Sequence, residues 1–440
     1  MENLAQALCT VIGKVPDNPI SSEFIGIQSR GMKQWLSQVI ARHFGVCANV
    51  RFMFPRQMLE YIREQSCDNQ GTGVSESGLL NRDMMAWAVL DVLMAKGSES
   101  ARADIDFIGP GTYLKHDDAG TKAMALSHRI ASVLDDYQVY RPDMLAAWGR
   151  GENQAFEDPH ALWQAVLWQD LIKKGVSLPD QMQACVAALE TGAVNTTAFP
   201  QRISLFGISA MPPFFLNLFN LLGRKMDVFL FLLTPTHQFF FDLPSPRQQE
   251  KAALKNKAVS ELPEEGNPLL GALGQSSRET QGFLENFDYD EPMGDLFEDP
   301  AAMPGDTHPD GQGVADMLRV IQSDILNLVW RSKGRAEDPI AVAAGDDSLA
   351  VHACHSPMRE AQVLKDLILD ALDRDSGLCP HDVVVMMPDI EAYAPFLEAV
   401  FTQSPGLPFT VSDRRRRSES LTLSAFLNIL DMKEARLEKS

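Results

Sequence analysis

The chain has 440 residues, which at roughly 150 per domain leaves room for two or three domains with sizeable cores. Apolar residues make up 45% and charged residues 22%, a balance that excludes an intrinsically disordered chain. Asp and Glu number 59 against 39 Lys and Arg, and the net charge of −20 argues against a free, non-specific nucleic-acid binder, because that binding rests on basic side chains.

No apolar run approaches the roughly 20 residues of a membrane span. Met1–Lys14 lacks the basic flank and cleavage pattern of a signal peptide. The cysteines Cys9, Cys47, Cys67, Cys185, Cys354 and Cys379 are scattered and form no CxxC pair, so a cytoplasmic chain is expected.

In chain order, Phe24–Gln28 reads as a buried strand, followed by a turn with Gly31 and a helix from about Met32 to Phe44. A long helical stretch covers about Gln57–Leu189, with helix-period apolar residues at Leu79–Met94 and Ala123–Tyr137. Trp163 and Trp168 read as core tryptophans of that stretch. Ile203–Ile208 is a second strand, and Ser209–Pro213 a turn capped by Ser209 that leads into the helix Phe214–Leu222. The apolar run Val228–Leu233 is a further strand. Glu285–Asp310 carries nine acids and no Lys or Arg, the composition of a solvated loop, and precedes a helix at about Val314–Val329.

A second unit follows: strand Leu349–Ala353, helix about Arg359–Leu372, strand Val383–Met387 and helix about Ile390–Phe401. The chain ends soon after this second sheet begins, at Leu421–Leu430, and so reads as a fragment of something longer. Strands alternating with helices imply an α/β fold built on parallel sheets. The expected domains are 1–345, with a helical insertion at about 57–198 and the acidic loop at about 285–310, and then 346–440. There is no internal repeat.

The strand–helix unit Phe24–Phe44 stands where a nucleotide hydrolase would carry its phosphate loop. That loop needs glycines, a Lys for the β- and γ-phosphates and an adjacent hydroxyl for magnesium. Here it reads Gln28-Ser-Arg-Gly-Met-Lys-Gln34, and GxxxxGK[ST] occurs nowhere in the chain. The second strand carries Phe206 and Gly207 where an Asp-Glu pair would bind magnesium and catalyse. A working ATPase is not expected.

Other motifs fall short in the same way. Gly207-Ile-Ser209-Ala-Met211 lacks the last glycine of a nucleophile elbow. His352-Ala-Cys354-His355 has no second ligand pair at finger spacing, and His116-Asp-Asp118 sits in a polar connection. Asp431-Met-Lys433, the nearest match to a nuclease (D/E)xK, falls in the C-terminal helix or tail rather than on paired strands.

The basic residues cluster. Phe24–Leu59 holds Arg30, Lys33, Arg42, Arg51 and Arg56 and no acid. On the helix, Arg30, Gln34, Gln38 and Arg42 recur every four residues and share one ridge, opposite an apolar stripe of Met32, Trp35, Leu36, Val39 and Ile40. Arg and Gln pair with phosphates and base edges, although a solvated helix face has the same composition. Arg414–Arg417 is a second basic run, open to either reading: a solvated turn or a phosphate contact.

Several segments resemble the exodeoxyribonuclease V gamma-subunit (RecC) family, in order along nearly the whole chain. They are Gln28-Ser-Arg-Gly-Met-Lys-Gln-Trp-Leu36, Phe44-Gly-Val-Cys-Ala-Asn49, Tyr137-Gln-Val-Tyr-Arg-Pro-Asp143, Phe206-Gly-Ile-Ser-Ala-Met-Pro-Pro213 and Asn267-Pro-Leu-Leu270. Ile321-Gln-Ser-Asp-Ile-Leu326, Cys354-His-Ser-Pro-Met-Arg-Glu360 and Val411-Ser-Asp-Arg-Arg415 continue the series.

The resemblance implies an inactive superfamily 1 helicase-like (RecA-like) domain with a large helical insertion, plus the start of a second such domain. It implies a non-catalytic, DNA-binding subunit that works beside a beta subunit and an alpha subunit, which use the ATP and magnesium. The subunit would help split the duplex and scan the single strand for Chi during double-strand break repair. The residues resembling the wall of that channel are Gln28, Arg30, Gln34, Phe54, Asp135, Asp136 and Arg141, and Gln38 and Arg42 extend the same ridge. Arg30 and Glu60 stand where the family can carry an uncharged polar residue and a tryptophan, so the identity of Chi does not carry over. The alternatives are a scaffold that holds the motors without touching bases, and an autonomous helicase or nuclease subunit of the AddB kind.

Overall fold

The structure is a computed structural model, and it describes residues 1–15, 18, 20–67, 82–96, 113–114, 120–152, 159–173, 178–191, 199–208, 211–243, 266–291, 293–294, 296–302, 316–331 and 345–411, with 422, 425, 426 and 429. The chain divides into two compact units, Met1–Asp346 and Asp347–Ser440.

The first unit is built on a four-stranded parallel sheet in the order β2-β1-β3-β4: β1 (Glu23–Gly26), β2 (Val50–Met53), β3 (Arg202–Phe206) and β4 (Asp227–Phe231). All five residues of β3 are buried, as expected of an inner strand covered on both faces. Alternate side chains divide between two cores. Phe24, Ile203 and Leu205 pack with α3 (Pro55–Cys67), α8 (Leu178–Thr191) and α9 (Pro213–Gly223). Ile25, Ile27, Phe206 and Phe231 pack with α1 (Glu2–Ile12) and α2 (Arg30–Phe44) on the other face. Gly26 is tied to this packing, because a Cβ there would stand 2.7 Å from the Leu205 side chain.

Between β2 and β3 the chain forms α3, α4 (Arg82–Lys96), α5 (Thr121–Tyr140), α6 (Pro142–Gly149), α7 (Pro159–Ile172) and α8. The middle four close a core of their own around Trp148 and Trp168. The Trp168 indole donates to the Leu145 carbonyl at 3.0 Å, and Gln169 to the Trp148 carbonyl at 2.8 Å. After β4 come α10 (Pro268–Leu273), α11 (Gln275–Leu284) and α12 (Met317–Leu326).

Four sequence expectations are corrected here. Gly31 lies inside α2, which starts at Arg30 because the Ser29 hydroxyl accepts from the Met32 amide at 3.1 Å and caps the helix. The cap of α9 is Pro212 rather than Ser209, which lies outside the described residues. The acidic segment is not simply solvated. Met293 and Leu296 pack against the α1 side of the sheet, and the Asn3 amide donates to the Leu296 carbonyl and the Glu298 carboxylate, both at 3.0 Å. Its acids at Asp288, Asp290 and Glu291 do face solvent, while 303–310 lies outside the described residues.

The fourth correction concerns the second unit. It contains α13 (Pro357–Arg374) and α14 (Ile390–Phe401), which pack through Ala361, Leu397, Val400 and Phe401. The Lys365 ammonium is buried beneath them and donates to the Val400 and Gln403 carbonyls at 3.1 and 2.8 Å. Leu349–Ala353 and Val383–Met387, expected as strands, form no ladder among the described residues. A strand is stabilised by its partner; without one, Val351 stands 92% exposed and Met386 89%. Most of Leu421–Leu430 lies outside the described residues.

Candidate nucleic-acid interface

Parallel strands bring all their carboxyl ends to one edge of the sheet, where α/β proteins usually place their sites. Gly26 of β1 is in register with Met53 of β2, and the Ile27 amide donates to the Met53 carbonyl at 2.9 Å. Gln28 and Phe54 therefore leave adjacent strands at the same edge. β1 ends at Gly26 and α2 begins at Arg30, so only Ile27, Gln28 and Ser29 connect them. This turn contains no glycine and so offers no glycine-rich cradle for a triphosphate.

Beside this turn, Gly207 adopts φ +64° and its amide donates to the Phe231 carbonyl at 2.9 Å. A Cβ there would lie 3.0 Å from the Met32 side chain, so glycine lets β3 approach α2.

α2 buries Leu36 and Ile40 against the sheet, and Trp35 packs on Phe206 with ring centroids 6.2 Å apart. The opposite face is open: Arg30, Lys33, Gln34, Gln38 and Arg42 are all exposed. Among the described residues no hydrogen bond or ion pair engages these side chains, nor that of Gln28. The helix carries Arg42 about 18 Å along its axis from Arg30, so the first turns lie at the strand edge and the last turn lies well away from it.

The other basic residues of the window are partly spent. The Arg51 guanidinium lies 5.6 Å from the centroid of the Phe24 ring. Arg56, at the start of α3, grips Asp135 of α5 with two hydrogen bonds of 2.8 and 2.9 Å. Asp135 is thus paired with Arg56 rather than free. Its charge ties the helical insertion to the start of α3 and cancels one cation of the window.

Asp136, next along α5, is exposed, and Arg141 is exposed at the α5–α6 junction, where its amide donates to the Tyr137 carbonyl at 2.8 Å. Through Arg56 the structure connects Asp135 to the same edge as Gln28 and Phe54. Among the described residues no hydrogen bond or ion pair joins the Asp136 or Arg141 side chain to α2.

His352, Cys354 and His355 are not gathered into a ligand set among the described residues. The one such group there is Cys379, His381 and Asp382. Its proximity has a structural origin: the Asp382 carboxylate accepts from the Cys379 amide at 2.9 Å while the Cys379 side chain accepts in return, closing a capping box on a single 3-10 turn. His116–Asp118, Ser209, Arg414–Arg417 and Asp431–Lys433 lie outside the described residues. Among those residues, no helix is long and apolar enough to cross a membrane.

Residues 1–328 match the family model described as RecC, N-terminal domain. The chain belongs to the RecC family. It is 30% identical to the RecBCD enzyme subunit RecC of Escherichia coli (strain K12) over 467 aligned positions, which cover 96% of this chain and 39% of that relative. The RecBCD enzyme subunit RecC of Haemophilus influenzae is 27% identical, over 96% of this chain and 40% of its own. That of Mycolicibacterium smegmatis is 29% identical, over 96% and 35%. The chain thus spans about two fifths of the length of these RecC relatives or somewhat less.

Sequence reasoning missed Arg202, whose guanidinium is buried at the start of β3 and pairs with Glu23 at the start of β1. A lone arginine at the head of an otherwise apolar strand was the available signal. It also missed Asn49, which holds the segment 20–22 ahead of β1.

Proposed function

We propose that this chain acts as part of a non-catalytic, DNA-binding subunit of a RecBCD-type helicase–nuclease, helping to split duplex DNA and to read Chi in the single strand during recombinational repair. The observation that carries this reading is the face of α2: guanidinium, ammonium and amide groups with no acid among them, exposed and without partners among the described residues, on a protein whose net charge is −20. An overall acidic subunit with one open basic and amide face suits DNA delivered to it by partners better than DNA captured from solution.

The wall of the DNA path comprises Gln28, Arg30, Gln34, Gln38 and Arg42, with Phe54 beside them and Asp136 and Arg141 from the insertion. Asp135 contributes by positioning Arg56 and α5. The parallel sheet with helices on both faces is read as a RecA-like domain of helicase type. The glycine-free turn at Ile27–Ser29 supports an inactive one, leaving ATP and magnesium to the beta and alpha subunits.

Residues 1–345 form the first helicase-like domain, with the insertion at about 57–198, and 346–440 begin a second. The packed helices α13 and α14, each preceded by an apolar segment (Leu349–Ala353 and Val383–Met387), support that reading. Among the described residues Cys9, Cys47, Cys354 and Cys379 are free thiols, which accords with a cytoplasmic protein.

The test is the full-length protein assembled with its partner subunits and carrying R30A, Q34A and Q38A together. Chi-dependent cutting falls while ATP hydrolysis persists, since each lost base contact is worth about 1–3 kcal/mol of discrimination. An unchanged Chi response refutes base reading by α2 and leaves a scaffold that holds the motors.

A further inference from the structure

The open face of α2 is not flat. A depression of about 360 Å³ runs along it, bounded by Arg30, Lys33, Gln34 and Gln38 and floored by Ser37 and Ala41. Its origin lies in the sequence. Residues four apart stack into ridges on a helix surface. The ridge Arg30–Gln34–Gln38 is made of long side chains, whereas the neighbouring row Lys33–Ser37–Ala41 has one long residue followed by two short ones.

The hollow is therefore a gap left by Ser37 and Ala41, walled on one side by amides and closed at one end by an ammonium. Its surface is mostly carbon, from Ala41 and the stems of its neighbours.

The chemistry of the rim is asymmetric. The Ser37 hydroxyl donates to the Lys33 carbonyl at 2.7 Å, so its proton is already committed and its oxygen keeps only acceptor capacity. Gln34 and Gln38 each offer a donor and an acceptor, as base edges require. Lys33 is the only cation of its row, is exposed and has no partner among the described residues. No acid lines the hollow.

We propose that this hollow is a nucleotide subsite for single-stranded DNA: it seats one unstacked base against Ser37 and Ala41, and Lys33 takes the adjoining phosphate. The hollow is an open groove, and its volume of about 360 Å³ leaves room for one base laid against the helix. The ordered split between a carbon floor with amide edges and a lone ammonium distinguishes it from a uniformly charged helix face.

The subsite rests on the proposed DNA-binding role and adds two residues, Lys33 and Ser37, together with a division of labour within α2. Base contact falls to the floor and amides, phosphate contact to Lys33.

The test uses the full-length protein assembled with its partners and a fluorescently labelled single-stranded oligonucleotide, titrated across a range of salt. Ala41→Leu fills the hollow with a good helix former and leaves every charge in place. It weakens binding roughly fivefold to tenfold, the equivalent of one base contact, and leaves the salt slope unchanged. Lys33→Ala flattens the slope of log affinity against log salt by about 0.7, the share of one phosphate contact on a single strand.

Ser37→Leu serves as a second filling variant, and circular dichroism establishes that each variant folds. If A41L and S37L bind like the parent while R30A/Q34A is impaired, the subsite is overturned and the DNA-binding role stands. A salt slope unmoved by K33A overturns the phosphate assignment. If R30A/Q34A also binds like the parent, the DNA-binding role itself falls.

Discussion

The two ends of the four-stranded sheet treat their polar residues in opposite ways. At the amino end Arg202, Glu23 and Asn49 are consumed internally. Arg202 pairs with Glu23, with Nε 2.9 Å from a carboxylate oxygen, and donates to the Lys14 carbonyl at 2.9 Å and the Ile12 carbonyl at 3.1 Å, which terminates α1. Asn49, at φ +57°, donates to the Ile20 and Ser21 carbonyls at 2.8 and 2.7 Å and accepts from the Ser22 hydroxyl at 2.8 Å. At the carboxyl end Gln28, Arg30, Gln34 and Gln38 satisfy nothing within the described structure. The amino end is where the fold is fastened, and the carboxyl end is left available. A count of charges along the chain cannot make this distinction, because the same residue types occur at both ends.

The contrast breaks most readily at Arg202. It is 7% exposed, and removing it leaves the largely buried Glu23 carboxylate without this partner and frees the carbonyls of Ile12, at the end of α1, and of Lys14 just beyond it. Arg202→Ala is expected to cost about 3–5 kcal/mol, read as a lower urea midpoint, whereas a loss below about 1 kcal/mol would mean that the pair behaves like a surface one.

Asn49→Ala comes next, at about 2–3 kcal/mol, because it loses three side-chain hydrogen bonds and keeps a left-handed backbone. Asn49→Gly should recover about 1 kcal/mol of that, separating backbone strain from lost bonding. Equal losses for the two variants would assign the whole effect to the hydrogen bonds.

The legibility of the sequence follows the same division. β1 and β3 were visible as apolar runs because inner parallel strands are buried on both faces, and β4, an edge strand, because Val228–Phe231 is apolar throughout. β2 was not, since Val50-Arg-Phe-Met53 is short and its Arg51 faces solvent. Leu349–Ala353 and Val383–Met387 had the pattern of strands, but a ladder depends on partners that a local window does not contain. The α2 ridge was legible because helical period alone puts Arg30, Gln34, Gln38 and Arg42 on one face. The capture of Asp135 by Arg56 was not, because 79 residues separate them and only the packing of α5 against the start of α3 brings them together. The hollow between Arg30 and Ala41 depends on side-chain length at neighbouring positions, which periodicity does not weigh.

Two changes at the border between the regimes carry smaller effects. Ser29 sits at the carboxyl edge but is structural, since its hydroxyl caps α2. Ser29→Ala should cost about 1 kcal/mol and Ser29→Asp should largely retain the cap, as measured by thermal unfolding; equal losses would point to a role other than capping. Arg56 and Asp135 are also structural despite lying near the open face. Their side chains are 43% and 15% exposed, so solvent screens the pair and its coupling should be about 0.5–1 kcal/mol in a double-mutant cycle. A coupling near zero would free Asp135 to be counted with the wall residues.

The smallest stability effect is expected where the proposed functional effect is largest. Arg30, Gln34 and Gln38 are exposed on a helix whose opposite face is anchored through Leu36 and Ile40, and alanine is the better helix former. Replacing all three should therefore shift unfolding by no more than about 0.5 kcal/mol. If the triple variant were markedly destabilised, the face would be making internal contacts, and its residues would belong with Arg202 and Asn49. If it is as stable as the parent but loses single-strand binding and Chi response in the assembled complex, then side chains that do nothing for the fold have been kept for the ligand. That pairing of outcomes separates a binding face from an ordinary solvated one, because a solvated face is neutral in both measurements and a structural one is costly in the first.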